Sequence, residues 1–467
     1  MAALFTTTKP RRPFGFRFVT PLALGSTLNP INSTMISTAM VPIAVAFHAS
    51  VAETGWLIAG LYLVSAVAQP AMGRVADLFG PRRVYLVSLC LVGLAGLIGG
   101  FAPSLGVLII TRLIIGIGTS GAYPSAMRIF RIQAERLDRQ PPRLAMSFLS
   151  LAGLTSAAIG PVLGGVLTEF YGWHAIFTVN VPLALIGIGL VLLWVPADEP
   201  RNADGSAKGS LLRAMIEIDI LGILLFAGFL LGSMLFLMDL DHPPWMALPA
   251  AFVCAVLLTM HSLRRPDPFI DLRMLARNLP LVATYLRMGL IMMLVYSMLY
   301  GFAQWLESSA GYSAADAGLV TLPMSILAAV AAIAGARIRV IRTSFVIGTG
   351  ACLAGSIGLF FIQGTTTPAI IAPIVMLFGL PQGLAATATQ AAIYVQAPPE
   401  SIGMAAGLQR TATYVGAIAA TSLISALYGQ QATDHGIHAL AAVMGVVSFL
   451  LFVATIIDRT LPRGPIG

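Results

Sequence analysis

Charge is what this chain has little of. Of its 467 residues only 10% are Asp, Glu, Lys or Arg, against 57% apolar, and a soluble domain of this size carries about a quarter charged residues. Cysteine is scarcer still. Cys90, Cys254 and Cys352 are the full set, each inside an apolar run, which argues against a disulfide framework and for small buried side chains. Histidine, cysteine and carboxylates nowhere cluster inside the apolar runs, so no metal, no cofactor and no membrane-embedded enzyme is expected. The net charge of +8 is spread over short loops instead of one face, so a nucleic-acid partner is not expected either.

What the chain has is hydrophobic length. Mean hydropathy is +0.88, and fourteen apolar runs alternate with charged or Gly/Pro-rich punctuation. A helix needs about 20 apolar residues to cross ~30 Å of hydrocarbon, and only helices and closed barrels satisfy their backbone there. The fold class expected is therefore an all-α integral membrane protein of fourteen transmembrane helices. Residues 1–18 carry Lys9, Arg11, Arg12 and Arg17 without a plausible cleavage site, and read as an uncleaved tail.

An even number of spans puts both termini on one side, and basic residues choose it. With the N-terminus in the cytoplasm, arginines such as Arg74, Arg82, Arg83, Arg128, Arg131, Arg264 and Arg265 fall on cytoplasmic connections. The external loops then hold Glu53, Glu169, Asp239, Asp241, Asp316 and Asp434 with no Lys or Arg. This predicts a multi-pass protein of the cell membrane with both termini cytoplasmic.

The pattern divides as six, two and six. A six-helix bundle is expected over 19–195, a polar connector over 196–218, an extra two-helix hairpin over 219–263 and a second connector over 264–280. A second six-helix bundle covers 281–457, and a tail 458–467.

One loop organises the rest. Gly73, Asp77, Gly80, Arg82 and Arg83 lie between the second and third runs, with Gly80-Pro81 making a turn too short to leave the membrane surface. The spacing G-x-x-x-D-x-x-G-x-R-R resembles the signature loop of the major facilitator superfamily of secondary transporters. The stretch 335–342, with Arg337, Arg339 and Arg342, occupies the matching place in the second half in degenerate form. The fourth run holds Arg112-x-x-x-Gly116-x-Gly118, similar to the superfamily's second motif. The fifth holds Gly160-Pro161-Val162-Leu163-Gly164-Gly165, which resembles the motif of its exporters, a hinge and seal between helices. Gly172-Trp173-His174 and Asn180-Val181-Pro182 open the sixth, with His174 read as a polar helix-start residue. Together with the hairpin, these features look like the fourteen-span drug:proton antiporter branch.

That resemblance implies a transporter exporting small organic molecules or drugs by alternating access, coupled to protons, working as a monomer in the bilayer. One departure bears on coupling. Asn32 stands in the first span where the branch usually has Asp, and an amide cannot carry a proton. Candidate coupling residues are Arg112, Glu307 and Glu53. Arg112 either faces a polar cavity or snorkels to the surface. Glu307, where the superfamily more often shows Gln, is either a proton carrier or a solvated loop residue; Glu53 has the same two readings.

The candidate substrate set is Asn32, Thr34, Tyr296, Tyr300, Trp305, Gln390 and Arg410. Arg410 contacts an anionic substrate group, pairs with Asp77 or snorkels. Tyr296, Tyr300 and Trp305 lie with Met288, Met292, Met293 and Met298, a wall suited to varied apolar ligands, although such residues at helical spacing are more often packing. Exporter or facilitator of a specific metabolite without proton coupling is the alternative function, and a membrane receptor the non-transport one.

Overall fold

A computed structural model describes residues 14–137, 143–198, 218–238, 244–335, 340–397, 402–458 and 460–461. Every regular element among them is helical. The first half comprises α1 (Phe16–Met35), a 3-10 turn at Ile36–Thr38, α2 (Met40–Phe47), α3 (Val51–Phe79), α4 (Pro81–Gly100), α5 (Leu105–Arg136), α6 (Arg143–Tyr171), α7 (Ala175–Thr178) and α8 (Asn180–Trp194). Then come α9 (Ile220–Met238), α10 (Ala247–Arg264) and the short α11 (Leu272–Arg277). The last part holds α12 (Leu279–Tyr296), a π-helical turn at Ser297–Gly301, α13 (Phe302–Ser308), α14 (Ala314–Gly335) and α15 (Ile341–Leu359). It closes with α16 (Pro368–Leu377), α17 (Gly379–Gln396), α18 (Ile402–Tyr428) and α19 (Asp434–Ile457).

Eleven rods among the described residues are long and apolar enough to cross a membrane, and the pair α1 and α2, bent by 61°, makes a twelfth. Four runs that read as single helices are interrupted, one of them at Val179 between α7 and α8. The bend in the first lies just ahead of Pro42, whose ring nitrogen cannot bond the Thr38 carbonyl. The split between α16 and α17 precedes Pro381 in the same way, and α12 passes into α13 through the π turn. The arginines Arg337 and Arg339 and the acids Asp239 and Asp241 lie outside the described residues, as does 199–217 of the first connector. Of the three cysteines, only Cys352 is fully buried; Cys90 is exposed on α4, facing outward where a thiol meets lipid as readily as protein.

The loop between α3 and α4 is a close fit. Gly80 has φ +92°, a region that favours glycine, and Pro81 occupies the first turn of α4. Asp198 then caps that helix from the far end of the half, accepting the N–H groups of Arg82 and Arg83 at 3.0 Å each. The beginning of the polar connector is thereby tied to the loop.

Packing separates the chain into neighbourhoods. α1 packs on α6, and α5 on α3 and α4, with α8 against α4. In the second half α12 packs on α18 and α17, α14 on α17, and α15 on α19. Two extensive contacts join the halves, α6 with α14 and α3 with α18, and α2 and the 3-10 turn add smaller ones to α13 and α14. α9 and α10 form the extra hairpin, and α9 touches both α3 and α18, so the hairpin straddles the seam. Its base is held by Asp219, fully buried, which accepts the Phe269 N–H at 2.6 Å and the Gly222 N–H at 3.2 Å and lies 2.7 Å from His261 Nε2. Arg74 reaches across from α3 to the carbonyls of Ile218 and Pro268.

Candidate functional site

Polar side chains set into apolar runs converge at mid-length of the helices. The deepest group is Asn32, Asn180 and Arg112. The two amides pair reciprocally: Asn32 Nδ2 donates to Asn180 Oδ1 at 2.7 Å, and Asn180 Nδ2 donates to Asn32 Oδ1 at 2.9 Å. Asn32 also donates to the Leu28 carbonyl. Its amide is thus fully occupied and 1% exposed, and a carboxylate in its place would lack the N–H groups this pair needs. Asn32 therefore stands in a helix-to-helix latch between α1 and α8, and no face of its amide is turned to a solute.

Arg112, the eighth residue of α5, does not snorkel. It is 2% exposed, donating from Nε to the Leu57 carbonyl at 2.8 Å and from Nη1 to the Asn32 carbonyl at 2.9 Å. Its Nη2 has no partner, and no carboxylate pairs with it among the described residues. A guanidinium buried without an acid is costly, and this one keeps a donor edge open.

Next to it four tyrosines from three helices meet. Tyr62 on α3 lies 2.7 Å from Tyr300, hydroxyl to hydroxyl, and Tyr300 donates to the Ser33 carbonyl at 2.8 Å, which leaves Tyr62 as the donor of the pair. Tyr296 and Tyr300, four residues apart across the π turn, stack at 5.6 Å. Tyr296 and Tyr414 each place a ring 5.4 Å from Tyr62. Tyr414 donates to Gln69 at 2.8 Å and reaches Asn29, whose amide donates to Thr119. A π turn widens the helix by one residue and recurs at functional sites; here it sets Tyr300 into the seam.

Arg410 is one turn from Tyr414 on α18. It is exposed, and its guanidinium lies 5.4 Å from the centroid of Tyr123 on α5, so it points across the seam toward the first half. It does not pair with Asp77. Asp77 bonds Arg128 at 2.8 Å, both partly exposed, beside a cavity of about 460 Å³ that Gly80, Arg83 and Asp198 also line.

Gly160 and Gly164 of α6 lie against Thr34 and the Met35 carbonyl, with no room for a Cβ at either. Gly165 meets Ala314 of the second half, and the Pro161 carbonyl lies against Gly318. The Thr38 hydroxyl donates to Pro161 O at 3.3 Å. One string of small residues thus seats α6 on α1 and on α14 at once. Thr34 is part of that seat, buried and bonded to Pro30 O, rather than a free hydroxyl.

The remaining candidates separate. Trp305 is fully buried and donates Nε1–H to Asp434 at 2.8 Å, so its indole ties the end of α13 to α19. Glu53 closes a capping box with Ser50 at the start of α3, which uses its carboxylate. Glu307 is half-buried near the end of α13 with Oε1 lacking a hydrogen-bond partner. Gln390 is exposed on α17, and His174 starts α7 with its ring stacked on Trp173. Site residues that motif reading passed over are Asn29, Tyr62, Gln69 and Tyr414; the available signal was a polar side chain inside an apolar run.

The family model described as Major Facilitator Superfamily matches residues 22–421. The chain belongs to the major facilitator superfamily. It is a transporter, not an enzyme. The chain is 34% identical over 427 residues to an uncharacterized superfamily transporter, YwoD of Bacillus subtilis, covering 89% of this chain and 91% of that one. It is 27% identical to the tetracenomycin C resistance and export protein of Streptomyces glaucescens, covering 88% and 76%. Among solved superfamily-fold structures, the peptide transporter POT superposes with a TM-score of 0.69 at 13% identity, covering 95% of both chains.

Proposed function

We propose that this transporter exports small organic molecules across the cell membrane by alternating access, as a monomer with both termini in the cytoplasm. The observation that carries it is the polar network at mid-length, where Tyr62, Asn29 and Gln69 of the first half bond Tyr300 and Tyr414 of the second. A network shared by two halves at the centre of a bundle is what a rocking mechanism breaks and remakes. We assign fourteen spans: the eleven rods, the bent first pair, and α6 and α15 as the remaining two. The bundles are 19–195 and 281–457, with the hairpin 219–263 between them. The export protein among the relatives supports the outward direction.

For the driving force we propose proton exchange at Glu307, the candidate carboxylate whose oxygen is left without a partner. Glu53 is spent on a cap, and Arg112 serves as a fixed cation. A second reading, transport without proton coupling, is favoured by the Asn32–Asn180 pair, which fills the place of an acid with a neutral latch.

The test is efflux of a panel of neutral and charged organic dyes from proteoliposomes, with and without an imposed pH gradient. Gradient-driven efflux that E307Q abolishes supports proton exchange at Glu307. Efflux indifferent to the gradient in both proteins establishes the second reading, and absence of flux for the whole panel removes the exporter assignment.

A further inference from the structure

The distribution of charge along the helices is one-sided. The chain holds 19 Asp and Glu, and every one on a described helix lies within two residues of a helix end: Glu53, Asp77, Glu135, Glu169, Glu307, Asp316 and Asp434. The helix interiors beside the tyrosine network hold cations instead. Arg112 is the eighth residue of α5 and Arg410 the ninth of α18. Neither has a carboxylate partner among the described residues. Arg112 is buried with one N–H edge unpartnered, and Arg410 is exposed beside the rings of Tyr123 and Tyr414. Between the two guanidinium groups run Tyr300, Tyr62 and Tyr414, in contact from ring to ring or hydroxyl to hydroxyl.

Resting on the exporter reading above, we propose that this central site selects its cargo by negative charge: a flat aromatic body bearing one oxyanion. Arg410 is the first contact, because its planar fork is accessible and matches a carboxylate, sulfonate or phosphate edge in two parallel bonds. The half-buried rings of Tyr296 and Tyr123 take the aromatic body. Arg112 lies behind the tyrosines and adds a buried positive field, which acts at longer range than one in bulk solvent. An arriving anion neutralises that field. A lipophilic cation adds to it, with no acid in the interior of a described helix to receive it. The arrangement therefore discriminates by repulsion as well as attraction.

The experiment measures equilibrium binding to the purified full chain in nanodiscs of phosphatidylcholine, which removes anionic lipid headgroups as competitors for the site. Three probes share one ring system: 2-naphthoate, 2-naphthamide and 2-naphthyltrimethylammonium. The expected ranking places naphthoate about tenfold or more tighter than either of the others, a gap set by one charge-assisted pair. R410Q brings naphthoate down to the naphthamide level, and R410K restores part of the gap. The proposal is overturned by an ammonium probe that binds as tightly as naphthoate, by no binding of any probe, or by a gap that persists in a folded, monodisperse R410Q protein. Should R410Q not fold, the wild-type ranking alone decides the sign of the charge. Binding needs no turnover, so the two readings separate: charge-ranked binding without efflux leaves this inference and removes the exporter, and efflux of the ammonium probe alone does the reverse.

Discussion

Among the described residues two arginines lie buried inside helices, and they differ most in whether an acid meets them. Arg287 on α12 is 6% exposed and Arg112 on α5 is 2% exposed. Arg287 meets the carboxylate of Asp458 at 2.5 Å, the Thr455 hydroxyl at 3.3 Å and the face of Phe345 at 5.1 Å. Arg112 meets two backbone carbonyls and, among the described residues, no acid. The first cation is neutralised within the protein, and it fastens α12 to the end of α19. The second is left charged in the seam. Burial alone did not separate structure from function here; the identity of the partner did.

The widest consequence of that contrast is a double dissociation. Arg112→Gln is expected to lower transport at least about tenfold, because it removes the buried field from the central site, yet to change unfolding stability by no more than ~1 kcal/mol. Lost carbonyl bonds, about 1.5–3 kcal/mol each, are offset by the relief of an uncompensated buried cation. Arg287→Gln should do the opposite, lowering stability by about 3 kcal/mol through the stranded Asp458. Efflux and thermal unfolding of the same detergent preparations read both. If R112Q unfolds as readily as R287Q, the contrast fails.

The Arg287 tie is sharpened by removing both partners. R287Q combined with D458N should recover most of the lost stability, since no buried charge is left unpaired. An unrepaired double variant would place the loss in packing on Phe345 instead.

A smaller effect comes from acid. Burial on its own would raise the Asp458 carboxyl, but the Thr460 hydroxyl and N–H and the Arg287 guanidinium outweigh it and hold it below its ordinary value. A carboxyl lowered in this way contributes stability above its unfolded pKa of about 3.9 and loses it as the pH falls through the folded value. The unfolded pKa is common to both proteins, so the stability gap between wild type and R287Q should hold steady near neutral pH. It should narrow as the pH falls through the folded pKa of Asp458 in R287Q, which loss of the guanidinium raises, toward that in wild type. A gap that widens on acidification would show the sign to be wrong.

The smallest stability effect is expected at Asp77, whose pair with Arg128 is exposed on both sides. Asp77→Asn should cost under ~1 kcal/mol while slowing transport, if the loop works as a gate. Wild-type efflux in D77N would remove that role.

How much of this was legible in advance varies with the residue. The loop at Gly73–Arg83, the small-residue string at Gly160–Gly165 and the break at Asn180 were readable, because each is a local answer to a local problem: turning tightly, approaching closely or starting a helix. Trp305 and Thr34 read as pocket residues and are packed instead. An indole and a hydroxyl inside an apolar run look alike whether they face a solute or a neighbouring helix. Tyr62, Gln69 and Tyr414 carried no motif at all, and their meeting depends on how α3, α12 and α18 are rotated about their axes.

The sequence by itself determined that the chain is a bundle of membrane-crossing helices and where most of them begin and end. In hydrocarbon each backbone group must be satisfied within its own helix, so the instruction is written in every run of some 20 residues. Only the tertiary structure decided that Asn32 is met by Asn180, 148 positions away, and that Arg112 is met by no acid among the described residues. A side chain's partner is set by which faces of two helices pack together, and that choice is made by the whole bundle rather than by any one run.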